Sequence, residues 1–338
     1  MKTGRLLYGL FLFVGACHGP APREPAAERP DALEPEWQDA LPPAPKLLVF
    51  LRPKGLRDDK VYGPMLRRAL ELAREQRVTS GALVLDAIED AEEVIAELGD
   101  LTPRETSVPA DSLELLLVLR GTRSDIDPSR LVGPEGELLW SDGPNGVVRE
   151  LVHERDRDGT PNPTSLFELP NRTWVVASGA ARDRARDAFA HPTRHPEPPF
   201  ALDSLATIVI DGPALVGRVS LLQGTGPLGG VGHGLRSVAL ELLAPAPPGE
   251  AGKPPSEPLP PRQVRAVASY ADAEAAAVAG GAARVMLRVV SRLKPSGLAW
   301  LGAGQVDVAD SRVVVTEPVP MDLLRSVLYA GRAANTSR

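Results

Sequence analysis

The sequence predicts an α+β fold in which two tandem repeats, residues 111–199 and 200–294, each pack helices against an antiparallel sheet. Two recurrences predict it. Asp111, Ser112 and Leu113 open an apolar strand, and Asp203, Ser204 and Leu205 open another 92 positions later. Val176, Ala177 and Ser178 close a strand ahead of a helix near 180–190, and Val267, Ala268 and Ser269 do so 91 positions later ahead of a helix near 271–293. Two matches at nearly one offset point to a duplicated unit, and helices beside antiparallel strands define the class.

Composition bounds the rest. With 338 residues, 43% apolar content and 24% charge, the chain has the make-up of a globular protein with a core of its own. Its net charge of -6 speaks against nucleic acid as a partner, because a phosphate binder gathers Lys and Arg on one face. Cys17 is the single cysteine, so no disulfide forms within the chain and core packing must carry the stability.

The first seventeen residues form an address. Lys2 and Arg5 precede the apolar stretch 6–14, and Gly15 and Ala16 follow it, which is the layout of a secretory signal. That stretch is about half of the ~20 residues a spanning helix needs. Val14, Gly15, Ala16 and Cys17 resemble the lipobox of bacterial lipoproteins. The resemblance covers residues 1–17 and no domain. It implies a signal peptide over 1–16, cleavage before Cys17, and a lipid anchor on that thiol built from acyl chains such as palmitate. Several acyl chains, at roughly 0.8 kcal/mol per buried methylene, make a stable anchor where one does not. Where such lipoproteins stay at the inner membrane an Asp usually follows the cysteine; here His18 does, so the resemblance implies the outer membrane.

Residues 17–45 read as the anchor and a disordered tether. Positions 18–45 hold eight prolines and almost no apolar residues, so they bury too little surface to offset their ordering entropy. In a polyproline conformation at about 3.1 Å per residue they would reach roughly 80 Å. An N-terminal β-α-α segment over 46–110 follows. Its strand, 46–51, stops at Pro53; a helix from Pro64 puts Leu66, Ala69, Leu70 and Ala73 on one face, and a second covers 83–98, whose end also reads as a strand. The near-continuous Leu and Val run 113–120 is a buried strand.

Within the repeats, Asp127–Pro128 and Asp211–Gly212–Pro213 start short helices, Pro standing where its missing N–H costs nothing. Strand pairs are expected between 137–140 and 147–152, and between 237–243 and 264–269 across a proline-rich loop. Residues 295–330 supply a C-terminal hairpin, 305–308 with 312–316, and a last helix over 320–329 carrying Met321, Leu324 and Val327 on one side. Residues 331–338 form a disordered tail.

Chemistry-bearing patterns are weak throughout. Gly224, Gly226 and Gly229 match G-x-G-x-x-G, but Pro227 and further glycines oppose the helix a dinucleotide loop must open. His153 and Glu154 begin a zinc-protease motif that Arg157 breaks, and Pro192 and Pro196 keep His191 and His195 off one helix face. Glu154, Asp156 and Asp158 ahead of Gly159 make a weak calcium candidate; Ser165 stands where the closing Glu belongs. Ser291 and Lys294 have S-x-x-K spacing at the wrong end of a helix. Arg182, Asp183, Arg184, Arg186 and Asp187 read as a solvated helix face, and Asn171–Arg172–Thr173 as a turn. No cofactor and no firm metal site is expected.

The sequence therefore favours a non-enzymatic cell-envelope lipoprotein serving as a binding or assembly module, anchored to a membrane through Cys17 and facing an envelope protein partner. Two alternatives stand beside it: a hydrolase of envelope polymers using carboxylates such as Asp142, Glu150 or Glu168, and a carrier of an apolar ligand between the repeats.

Overall fold

The computed structural model describes residues 34–75, 81–99, 114–122, 140–143, 148–155, 159, 161–193, 195, 196, 198, 200–218, 229–244, 262–292 and 304–319. The signal peptide, Cys17, the helix expected at 127, Gly224 and Gly226, the last helix and the tail lie outside them.

A 3-10 turn, Trp37–Ala40, leads into strand β1 (Leu47–Leu51), then helices α1 (Pro53–Asp58), α2 (Tyr62–Glu75) and α3 (Gly81–Asp90). Strands β2 (Glu93–Leu98), β3 (Leu115–Arg120), β4 (Ser141–Asp142), β5 (Arg149–Arg155), β6 (Pro161–Leu169) and β7 (Thr173–Ser178) precede α4 (Ala180–Ala190). The remainder is β8 (Ser204–Asp211), α5 (Gly212–Arg218), α6 (Gly229–Gly232), β9 (Leu235–Leu243), β10 (Arg262–Tyr270), α7 (Ala273–Arg292), β11 (Gln305–Ala309) and β12 (Arg312–Val319).

All twelve strands join one antiparallel sheet, in the order β11-β12-β10-β9-β8-β1-β2-β3-β7-β6-β5-β4. This overturns the expected pair of repeated sheets. The proposed counterparts are not equivalent: β3 hydrogen-bonds β7 directly, whereas β9 separates β8 from β10. Residues 111–113 lie outside the described residues, and the other recurring tripeptide differs in burial as well as in topology: Val176, Ala177 and Ser178 are buried, while Val267, Ala268 and Ser269 are half-buried. The boundary at 199/200 falls instead near the middle of the sheet, where β8 pairs with β1, and strand order outward from that pair is alike on both sides.

Register divides the side chains between two faces. On one face a single row runs Val314, Val267, Ala239, Val209, Leu48, Glu97, Leu116, Ala177, Ser165. The opposite face carries the flanking residues of each strand. Around β3 and β7 both faces are covered, so LLLVLR and TWVVAS are apolar without alternation. Leu116, Val118, Phe167, Val175 and Ala177 pack under Ala181, Ala185 and Phe189 of α4 and under Trp37, Ala40 and Leu41. Trp37 is 5% exposed, which corrects the tether: its last dozen residues belong to the body. On the opposite face α3 covers Val94, Leu117, Leu119 and Trp174, and α7 sets Ala275, Ala276 and Ala279 on Val313 and its neighbours.

One further expectation is corrected. The helix expected over 83–98 ends at Asp90, and Glu93–Leu98 forms β2, where it pairs with β1 and β3. Residues 137–139 of the strand expected at 137–140 lie outside the described residues; the described β4, Ser141–Asp142, pairs with β5. The other pairings hold: β9 with β10, and β11 with β12 around Asp310, whose φ of 51° closes the turn.

Ionic contacts tie the layers together. Asp59 accepts hydrogen bonds from the Val61 and Tyr62 amides at 2.8 and 3.0 Å, fixing the start of α2, and pairs with Arg262 of β10 at 2.5 Å. Both side chains of that pair are 4% exposed. Burial pushes the Tyr62 hydroxyl up to about 12, against the pull of the Arg262 charge.

Candidate functional site

The first-described face of the sheet is covered unevenly. Over β3 and β7 it carries α4, but over β8, β9, β10 and β12 no helix of the described residues covers it. A cleft of about 770 Å³ opens there. Val209, Ala239, Val267 and Val314 form its floor, one residue per strand, and Leu48 of β1 continues the row.

Two proline-rich segments wall the cleft. Leu41, Pro42, Pro43 and Pro45 stand on one side, and Pro196, Pro198, Phe200 and Ala201 on another. Proline lacks the amide N–H that a sheet partner would need, so neither wall adds a strand to the sheet. The second wall is pinned at its end: Phe200 stacks on Phe50 with ring centroids 4.4 Å apart. Arg52 donates to the Ala201, Leu202 and Ser204 carbonyls at 3.2, 2.8 and 2.6 Å.

Polar residues border the apolar floor along both edges. Ser237 faces Ser269, which faces Arg312; four residues along each strand, on the other side of the floor row, Glu241 faces Arg265, which faces Thr316. Arg265 is saturated, with Glu241 at 2.5 Å and Asp203 at 2.8 and 3.0 Å. The hydrogen bonds from Arg265 hold the Asp203 carboxyl below the usual carboxylate range. Arg312, by contrast, stands exposed at the rim. The result is a slot with an apolar base, small side chains at its centre and one cation at its outer end. It suits a long apolar chain, with the Arg312 guanidinium within reach of an acidic end.

The slot's polar lining is Ser237, Ser269, Glu241, Arg265, Arg312 and His195. Of the histidines, His195 lines it and lies 3.1 Å from the Thr193 hydroxyl. The carboxylates suggested for hydrolysis lie elsewhere and do not converge. Glu150 is buried and held by Arg186 at 2.6 Å and by the Ser165 hydroxyl at 2.5 Å. Asp142 and Glu168 sit on the other face of the sheet, 3.6 and 3.4 Å from Arg149, which separates them. Glu150 lies on one face and Asp142 and Glu168 on the other, so the three do not share a site.

The remaining candidates are likewise dispersed. Glu154 of the calcium candidate pairs with Arg182 at 3.1 Å, and Asp156 and Asp158 lie outside the described residues. Among the described residues no cluster of three or more His, Cys, Asp or Glu could hold a metal ion. His153 is buried against Trp140, with ring centroids 5.1 Å apart. Asn171 and Arg172 form the β6–β7 turn at φ of 59° and 54°. The charged face of α4 is not merely solvated: Arg184 reaches buried Glu97 at 2.8 Å and Glu114 at 2.7 Å, while Arg186 neutralises Glu150. Burial still pushes the Glu97 carboxyl up, against the pull of Arg184.

Sequence reasoning touched His195, Pro196, Val267 and Ser269 for other reasons and brought none of them together as a slot. The usable signal was the small and polar set Ser237, Ala239, Glu241 on alternate positions of β9, where a covered face would carry bulkier apolar side chains.

Comparison with known proteins adds little. No protein-family model and no curated protein matches the chain. The solved structure titled "Structure of crystal form I of TP0453", a protein of Treponema, is similar over 88% of this chain and 99% of its own, at 10% identity and a TM-score of 0.42.

Proposed function

We propose that this protein is an envelope lipoprotein, anchored through acylated Cys17, whose body binds one long acyl chain and performs no chemistry on it. The observation that supports this is the slot over β8, β9, β10 and β12. Its floor row of five residues crosses four strand spacings, about 19 Å at ~4.8 Å each. An extended chain of roughly fifteen methylenes, at ~1.2 Å per bond, fits that length. Its methyl end would lie towards Leu48 and Phe200, and an acidic head at Arg312. The apolar-carrier reading thus keeps its ligand and changes its place: the slot lies on one face of the sheet, not between two repeats.

The test is titration of the delipidated body with saturated fatty acids and, separately, with phosphatidylglycerol, read by native mass spectrometry. Saturable uptake of one acyl ligand per chain is expected, and the better binder identifies its source as free acid or phospholipid. Failure to take up either would sink the reading. The anchor is tested independently. Labelled palmitate should enter the wild-type protein and not Cys17→Ser, and the variant should leave the membrane on alkaline washing.

A further inference from the structure

We propose that the C-terminal half of α7 is a second membrane-contacting element, lying flat on an anionic bilayer surface independently of any lipid on Cys17. Helix α7 changes character along its length. Its first half is fastened to the body: Ala275, Ala276 and Ala279 are buried, and a Cβ at Gly280 would meet the Val308 side chain. The second half carries Val285, Met286 and Val289 at 57%, 41% and 53% exposure, and Val278 two turns before Val285 is at 55%. Among the described residues, four of the seven exposed large apolar side chains therefore sit on this one helix.

Their spacing makes a stripe. At about 100° per residue, Val278, Val285 and Val289 fall within roughly 40° of one another. Arg288 and Arg292 run along its edge, Arg284 turns back to donate to the Val306 carbonyl at 3.2 Å, and the segment 284–292 holds three arginines and no acid in a chain of net charge -6. An apolar stripe edged by arginine is the pattern of a helix lying in a lipid interface, where the valines enter the acyl boundary and the guanidinium groups meet phosphate. That charge pattern favours an anionic lipid surface over a second copy of this acidic chain. No helix of the described residues is long and apolar enough to cross a membrane, so the contact is peripheral. Because α7 packs on the sheet face opposite the slot, contact here leaves the slot's own face uncovered.

The test uses the processed chain, residues 17–338 with Cys17→Ser, so that no acyl group contributes; the body from Pro35 onward is one compact unit. It is floated with vesicles of phosphatidylcholine, with and without phosphatidylglycerol. Binding to the anionic vesicles alone is expected, and it should weaken at high salt. Val285→Asp with Val289→Asp should abolish it. Arg288→Ala with Arg292→Ala should weaken it about 25-fold, at roughly fivefold per arginine near an anionic surface. These side chains are exposed, so thermal melts should match the parent; should the Asp pair misfold, Val285→Ser with Val289→Ser replaces it and must weaken binding at least tenfold. Three results would overturn the proposal: no flotation of the parent, equal flotation of parent and valine variants, or a dimer in solution that the valine variants dissociate.

Discussion

Ala239 occupies the middle of the slot floor, between Val209 and Val267, so a large side chain there should block a bound chain while leaving the sheet intact. In Ala239→Phe the ring would stand in open space above the floor and displace about four methylenes of ligand. At roughly 0.8 kcal/mol per buried methylene the loss is about 3 kcal/mol. That corresponds to a Kd raised about 200-fold. The assay is displacement of a fluorescent fatty acid, with urea unfolding of each protein as the control for stability. Because Ala239 is half-buried beside a cleft of 770 Å³, folding free energy should change by less than about 1 kcal/mol. A companion change, Val267→Thr, keeps shape and puts a hydroxyl into the floor; it should weaken binding about tenfold, since burying an unpaired hydroxyl costs about 1–3 kcal/mol. If Ala239→Phe folds normally and binds the probe as the parent does, the slot is not the binding site.

Three other outcomes follow from contacts outside the slot. Arg262→Ala should destabilise the body by about 3–5 kcal/mol, because it leaves Asp59 charged and buried without its partner; a urea transition shifted by under 1 kcal/mol would count against that pairing. Glu317 is 5% exposed, and burial pushes its carboxyl up against the opposing pull of the Gly304 backbone amide. Its raised value means that the fold gains stability from this group as pH falls towards the unfolded value near 4.3 and loses it as pH rises through the folded value. Glu317→Gln should therefore raise the melting temperature at pH 7 and flatten the melting profile between about pH 7 and 4. Asp203 has the opposite sign: with its carboxyl held low by Arg265, its contribution is present above about pH 4 and is lost as pH falls further. Asp203→Asn should remove that acid-side loss, as read by melts between about pH 4 and 2.

How much of this was legible beforehand differs by level. Single strands and helices were, because their signals are local: the bare Leu and Val run of β3, the alternation across β11 and β12, and the Asp211 carboxylate that accepts from the Ala214 amide at 2.9 Å to start α5. The junction of α3 and β2 was less clear, since a short apolar run fits either period and only pairing with β1 and β3 settles it. Partner choice was not legible at all. A tripeptide such as Val-Ala-Ser is buried at 176–178 and half-buried at 267–269, and it does not say which strand lies beside it. The arginines of α4 were misread for the same reason: Arg184 is 87 residues from Glu97.

By itself the sequence determined many of the elements, though not α1, β2 or β6, together with the acidic and disulfide-free character of the chain and an N-terminal pattern resembling a lipobox. Those are properties of composition and of near neighbours along the chain. Only the tertiary structure decided that twelve strands make one sheet, that residues around Trp37 join the core, and that one stretch of sheet face is floored by Val209, Ala239, Val267 and Val314 without a covering helix among the described residues. A slot is made by residues far apart in sequence meeting across strands, and by what does not cover them; neither is written in any local run of side chains.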